Sequence, residues 1–382
     1  MLRATGLSML AILAGAYLLA VAPGSVRIGA IGAVGFAGGM VAALLATLRG
    51  DRWGRRRVLV ATALLAAGGT LLLAIAAEPW LLALGAFAGM FNAMGKDRGA
   101  ALLLEGAALP AIVDDRQRTS AFARYHVAQD AGHAVGAGAA ALPSLLQSGL
   151  GELTALRWGI AAAALLLGAS ALAYAALSRA VDAPATIARP MSPAGRRVVV
   201  RIASLFLLDA VGGGFLTTSW LSVFFLERFG ASLGAVSALF VGARVLNAGS
   251  HLAAAWLAAR IGLVNTMVFA HIPSSLLLLT VAIAPNFGVA AVLFLVREGL
   301  VEMDVPTRQS YLMAVVAPEE RTRASGITSL VRLGGWAVGQ GAAGVVAQAG
   351  LGVSLALGAG MKIAYDVLLF RAFRARKPPE EM

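Results

Sequence analysis

The sequence predicts an all-α membrane protein: twelve transmembrane helices in two six-helix bundles, related by a pseudo-twofold axis along the membrane normal. Three observations carry this. The chain of 382 residues is 59% hydrophobic and only 13% charged, about half the charge of an ordinary soluble domain. Apolar runs of about twenty residues recur along it, and at about 1.5 Å per residue such a run crosses a hydrocarbon core of about 30 Å. Two stretches six runs apart also repeat each other.

In order, the expected spans are 4–22, 26–48, 58–77, 81–110, 121–142, 157–178, 200–223, 232–256, 264–284, 286–313, 323–346 and 352–371. The first is short and opens on Arg3 without a polar lead-in. A start that has lost part of helix 1 is expected in preference to a cleaved signal peptide, because no polar mature region follows. The odd-numbered connections hold Arg27, Arg157 and Arg228 and almost no other basic residue. The even-numbered ones hold Arg49 to Arg57, Arg116 and Arg118, Arg179 to Arg201, Arg260, and Arg321 with Arg323. The C-terminal tail adds Arg371, Arg374, Arg376 and Lys377. Short cytoplasmic loops carry the basic excess, so both termini are expected in the cytoplasm. The same bias accounts for the net charge of +12 without a nucleic-acid partner. Arginine outnumbers lysine 28 to 3, the usage of a GC-rich bacterial genome, which points to a bacterial inner membrane. Cysteine is absent, which excludes disulfides and thiolate metal sites.

The longest loop, Arg179 to Arg201, contains Pro184, Pro190 and Pro193. It divides the chain into an N-terminal bundle (1–178), a cytoplasmic linker (179–199) and a C-terminal bundle with a short tail (200–382). Residues 111–140, shifted by 203, match residues 314–343 at Arg118/Arg321, Thr119/Thr322, Gly132/Gly335, Gly136/Gly339 and Gly138/Gly341. Six spans separate the copies, an even number, so both run in the same direction across the membrane.

Gly50-Asp51-Arg52-Trp53-Gly54-Arg55-Arg56-Arg57, with Val58-Leu59 behind it, resembles the loop 2–3 signature of the major facilitator superfamily. Thr47 and Arg49 stand where that family usually has glycine and leucine. The resemblance implies a cytoplasmic gate: Asp51 caps the amino end of helix 11, and Arg55 and Arg56, beside Arg52 and Gly54, reach neighbouring acids. A carboxylate suits a helix N-terminus on physical grounds too. Arg118 and Arg321, from the repeated loop, belong to the same gate. Met303-Asp304-Val305-Pro306-Thr307-Arg308-Gln309-Ser310-Tyr311 looks like a bacterial branch of that family. Gly132-x-x-x-Gly136-Ala137 faintly resembles the antiporter signature of its drug exporters, whose proline is Ala137 here.

Ionisable residues inside spans are costly and usually face the interior, so they are the candidates for function. On helix 10, Arg297, Asp304 and Arg308 share a face, and Asp304 with Arg308 forms an i,i+4 pair. Glu298 and Glu302 form a like-charged i,i+4 pair, in which one carboxylate is expected to hold a proton; Asp209 is the third coupling candidate. Pro306 is expected to bend the helix beside them. Helix 4 carries Lys96-Asp97-Arg98, where the helix is expected to break, and Glu105 beyond. Helix 5 offers His126, Asp130 and His133 as pore lining rather than as metal ligands, helix 8 offers Arg244, Asn247 and His251, and helix 11 offers Arg332. Asp209 precedes Gly212-Gly213-Gly214, a flexible point. Lys362 and Asp366 on helix 12 read as a structural pair.

No phosphate loop, nucleophile elbow or zinc motif occurs, so no enzyme activity and no cofactor or metal are expected. The charges and the resemblance together imply a monomeric secondary transporter, an exporter of a small charged or amphipathic solute that works within membrane lipid and is coupled to protons. A facilitator of a small anion, using the intramembrane arginines, is the alternative. A non-transporting receptor or a lipid scramblase is the alternative from another class.

Overall fold

A computed structural model describes residues 1–112, 118–182, 191–317 and 320–373. Its regular structure is helical: α1 (Leu2–Val21), α2 (Ser25–Trp53), α3 (Arg55–Ile75), α4 (Pro79–Ala88), α5 (Ala100–Ile112), α6 (Arg118–Ala139), α7 (Leu142–Leu150), α8 (Glu152–Ala175), α9 (Pro193–Gly214), α10 (Thr218–Phe229), α11 (Leu233–Ile261), α12 (Leu263–Ala282), α13 (Phe287–Val301), α14 (Asp304–Val315), α15 (Arg321–Val346) and α16 (Leu351–Phe373). Among the described residues eight helical stretches are long and apolar enough to cross a membrane, α9 and α10 counting together as one. Outward-turned Leu165, Leu172 and Ile283 are each at least 75% exposed, which suits an acyl-chain environment rather than water.

Three expected spans are interrupted. The fourth stops after Ala88, and the chain turns through Met90 (φ 50°) and Gly95 (φ 64°) before α5 begins. Lys96-Asp97-Arg98 therefore lies on a non-helical segment, as three adjacent charges demand. The seventh breaks at Phe215–Thr217, and the Thr217 hydroxyl caps α10 by accepting the Trp220 N–H at 3.3 Å. The tenth breaks at Glu302–Met303. Pro306 lacks the N–H that would bond the carbonyl of Glu302, so the break falls one turn before the proline, which sits in the first turn of α14 where its missing donor costs nothing. Helix α7, between the fifth and sixth spans, had no counterpart among the expected spans.

By contact the chain forms two compact units, residues 1–186 with 217–241 and 340–345, and residues 187–216 with 242–339 and 346–382. In the first, α1 packs on α6 and α8, and α3 on α8. The ends of the seventh, eighth and eleventh spans join this unit through a close seam. A Cβ at Gly29 would lie 2.8 Å from the Cα of Gly344, and one at Gly32 would lie 2.5 Å from Nε2 of Gln340. The Thr217 hydroxyl donates to Oε1 of Gln340 at 2.9 Å, and the Ser219 hydroxyl donates to the Ala11 carbonyl at 2.7 Å. In the second unit α16 packs on α9 and α12, around Ile202, Phe206, Met267, Tyr311, Tyr365 and Phe373.

Candidate functional site

The internal repeat is visible as packing. A Cβ at Gly132 would meet the Met1 carbonyl and the Ala4 Cβ, and one at Gly136 would meet the Thr5 carbonyl at 2.2 Å. At the matching positions, a Cβ at Gly335 would meet the Leu207 carbonyl and the Ala210 Cβ, and one at Gly339 would meet the Val211 carbonyl at 2.0 Å. Small residues allow this close helix approach. The contacts set a register in which Met1, Ala4 and Thr5 of α1 answer to Leu207, Ala210 and Val211 of α9. In the same register Arg3 answers to Asp209. The 203-residue shift likewise sets Glu105 against Arg308.

Both residues are centres of buried charge. In the first unit Arg3 pairs through Nη1 with Asp97, donates from Nη2 to Glu105 at 2.6 Å and from Nε to the Tyr174 hydroxyl at 2.8 Å. Glu105 also accepts from the hydroxyls of Tyr125 and Tyr174, and Gln129 donates to Tyr125 at 2.8 Å. The Asp97 backbone N–H donates to Nε2 of His133 at 3.4 Å, while Nδ1 of that ring lies 4.0 Å from Asp130. One cation thus stands between two carboxylates.

In the second unit the signs are reversed. Asp209, 2% exposed, receives Lys362 at 2.8 Å on Oδ1, and Arg308 at 3.0 Å and Arg332 at 3.6 Å on Oδ2. Arg308 also holds Asp304 at 3.0 Å, the expected i,i+4 pair, and lies over the Phe206 ring. Lys362 and Asp366, read from the sequence as a pair, turn to different partners: Asp366 lies 3.0 Å from Nδ1 of His271, and Lys362 lies 3.4 Å from Nε2 of the same ring.

The remaining candidates are dispersed. Glu298 pairs with its neighbour Arg297, and the helix break separates it from Glu302, so the expected i,i+4 carboxylate pair lies on no continuous helix. Arg244 and Asn247 are buried on α11, and neither Nδ2 nor Oδ1 of Asn247 finds a hydrogen-bond partner among the described residues. His251 is half-buried, and His126 is exposed with its ring edge-on to Tyr125. Lys96 and Arg98 are half-buried in the break of the fourth span. At the expected gate Gly54 takes φ 86°, Arg55 is buried and Arg52 is exposed. The Arg56 N–H donates to Asp182 at 3.0 Å and its guanidinium donates to the Ala175 carbonyl at 2.6 Å. Arg321 donates to the Met313 carbonyl at 2.9 Å. The side chains of Asp51 and Arg118 lie outside the described residues, as does the linker from 183 to 190.

Sequence reasoning missed Arg3, Tyr125, Tyr174, His271 and Asp182. In sequence Arg3 only opens a short first span without a polar lead-in. Extending the glycine register into α1 would have set it against Asp209.

The profile of the Major Facilitator Superfamily matches residues 1–340, and the chain belongs to that family. Its members are transporters, not enzymes. The fold is that of the nucleoside transporter NupG (16% identity, TM-score 0.71, 98% of each chain covered). It is also similar to an occupied, inward-facing bacterial homologue of the human lysosomal transporter Spinster (16%, 0.68, 97% of this chain and 92% of that one). The human organic anion transporter MFSD10 is more distant (18%, 0.56, 96% and 98%). In sequence, an uncharacterized membrane protein of Saccharomyces cerevisiae, YJR124C, is 25% identical over 175 residues, which is 46% of this chain and 39% of the yeast protein.

Proposed function

We propose that the chain is a proton-coupled exporter of a small charged or amphipathic solute, working by alternating access as a monomer in a bacterial inner membrane with both termini cytoplasmic. The observation that carries this is the buried charge on helices 1 and 7. A helix bundle with only a structural task gains more from apolar packing, because buried ion pairs recover little of their desolvation cost. Charges kept inside spans mark a pathway for solute or protons. The seam of Gly29, Gly32, Thr217 and Gln340 fits a closed outer gate, and Asn247, buried with no partner for its amide among the described residues, is a group suited to meet the solute. The anion-facilitator reading fits less well, since Arg297, Arg308 and Arg332 already face carboxylates.

Reconstitution tests the proposal. Nucleosides and organic anions head the compounds to screen, by analogy with NupG and MFSD10, and a ligand present at about 100 times its Kd raises stability by about 2.7 kcal/mol. Flux of a stabilising compound into proteoliposomes should follow an imposed pH gradient and fall at least tenfold in N247A. Lipid flipping without solute flux would favour the scramblase. The cysteine-free chain permits labelling of single cysteines: S192C should react only from the cytoplasm and S148C only from outside. Reversal would overturn the orientation.

A further inference from the structure

We propose that the cavity at the start of α9 binds the phosphate headgroup of an anionic phospholipid from the cytoplasmic leaflet. The inference concerns neither solute nor coupling ion; of the reading above it uses only the cytoplasmic placement of the linker. A cavity of about 540 Å³ opens there, lined by Met191, Pro193, Arg196, Arg197, Val200 and Arg201. Arg196 with Val200, and Arg197 with Arg201, are i,i+4 neighbours, so the four side chains share one side of the helix. All four are exposed. Among the described residues none of the three arginines is ion-paired to a carboxylate.

The surroundings show why an anion fits and which groups hold it. Three guanidiniums within two turns repel one another, and like charges four residues apart destabilise a helix. The helix N-terminus is already answered: the Ser192 hydroxyl accepts the Gly195 N–H at 3.0 Å, and buried Glu320 accepts the Ser192 N–H. The headgroup therefore meets side chains rather than free N–H groups of the first turn. Arg201 is held in place, its guanidinium 5.4 Å from the centre of the Phe373 ring. Phe373 is itself buried, edge-on to Tyr311. A planar guanidinium can donate two parallel hydrogen bonds to phosphate oxygens, which an ammonium cannot. Met191, Pro193 and Val200 give the cavity an apolar wall, suited to glycerol and the first acyl carbons. The same face runs on through exposed Ser204 and Leu207, four and seven residues beyond Val200, along the expected seventh span. A free phosphate would leave that wall unused, and a basic loop that only sets topology needs no cavity. An anionic lipid uses both, with its charge at the arginines and its chains along the stripe.

Native mass spectrometry of the full-length protein tests this, with phosphatidylglycerol as the probe and phosphatidylcholine of the same acyl chains as the neutral control. The unmodified protein should retain phosphatidylglycerol in preference to phosphatidylcholine. R196Q/R197Q should lower that retention by about tenfold or more, since each basic side chain at a membrane surface contributes severalfold in affinity. R196K/R197K/R201K keeps every charge and so the orientation, and it remains informative even where the glutamine variant fails to insert. It should bind phosphatidylglycerol severalfold more weakly, because the bidentate hold is lost. Equal retention of the two lipids by the unmodified protein would overturn the proposal, and so would unchanged retention in the lysine variant. Inorganic phosphate that protects the protein from heat as well as phosphatidylglycerol does would reveal an aqueous anion site, and would also overturn it. Labelling of S192C only from outside would remove the orientation on which the inference rests. Cytoplasmic labelling without a lipid preference would sink this inference alone.

Discussion

Helix 1 and helix 7 place opposite charges at equivalent points, Arg3 and Asp209, and helices 4 and 10 answer them with Glu105 and Arg308. What the two halves share is complementarity between two helices; the sign is free. A buried charge costs the same order of energy whichever sign it has, and what relieves it is a partner in reach. The two clusters differ in how they tolerate loss. Around Arg3 the neighbours are carboxylates and phenols, groups that take up or keep a proton and so become neutral. Around Asp209 they are two guanidiniums and an ammonium, and a guanidinium has no neutral form within reach.

The largest expected effect breaks that symmetry. D209N should cost about 3–5 kcal/mol, the range for leaving buried charge uncompensated, and should abolish transport. Arg308 keeps Asp304, but Lys362 and Arg332 then face a neutral amide. R3Q should cost roughly half as much, because Glu105 keeps its two tyrosine donors. Thermal unfolding of the purified variants and their flux per molecule measure both. An R3Q variant as damaged as D209N would end the distinction.

Paired neutralisation sharpens the comparison at smaller magnitude. R3Q/E105Q should recover about 1–2 kcal/mol relative to R3Q, since removing both partners is milder than stranding one. D209N/R308Q should recover almost nothing over D209N, because Lys362 and Arg332 remain. Equal recovery in both halves would show that the extra cations around Asp209 do not act on it.

Much of this was legible in sequence, and the reasons differ by residue. Span positions followed from apolar run length, and the glycine repeat showed that the two halves run in the same direction; that helix 5 packs on 1 and helix 11 on 7 is visible only in the structure. Asp304–Arg308 was readable because an i,i+4 pair needs only helical geometry. Lys362 and Asp366 have the same spacing yet part, since Asp209 and His271 on other helices offer each a closer partner, and no single-helix pattern encodes that. Glu298 and Glu302 were paired on the premise of a continuous helix, which Pro306 breaks a turn earlier than its own position. His271 lies in an apolar stretch with no charged neighbour in sequence, and only the packing of α12 on α16 shows what it meets.

The smallest expected effects test the register itself. An alanine at Gly136 would press its Cβ against the Thr5 carbonyl, and one at Gly339 against the Val211 carbonyl. Both contacts are with backbone, which cannot rotate away, so each helix pair must part. G136A and G339A should therefore each cost about 1–3 kcal/mol, the range for overpacking a tight interior. Because the contacts are equivalent, the two costs should agree within the scatter of the measurement. Two residues further on, a Cβ at Gly138 would meet only the Val241 side chain at 3.7 Å, and one at Gly341 only Ala33 at 3.5 Å. G138A and G341A should change stability by less than about 0.5 kcal/mol. If G136A is costly and G339A is not, helices 5 and 11 do not pack on 1 and 7 in one register, and the equivalence of Arg3 with Asp209 loses its geometric basis.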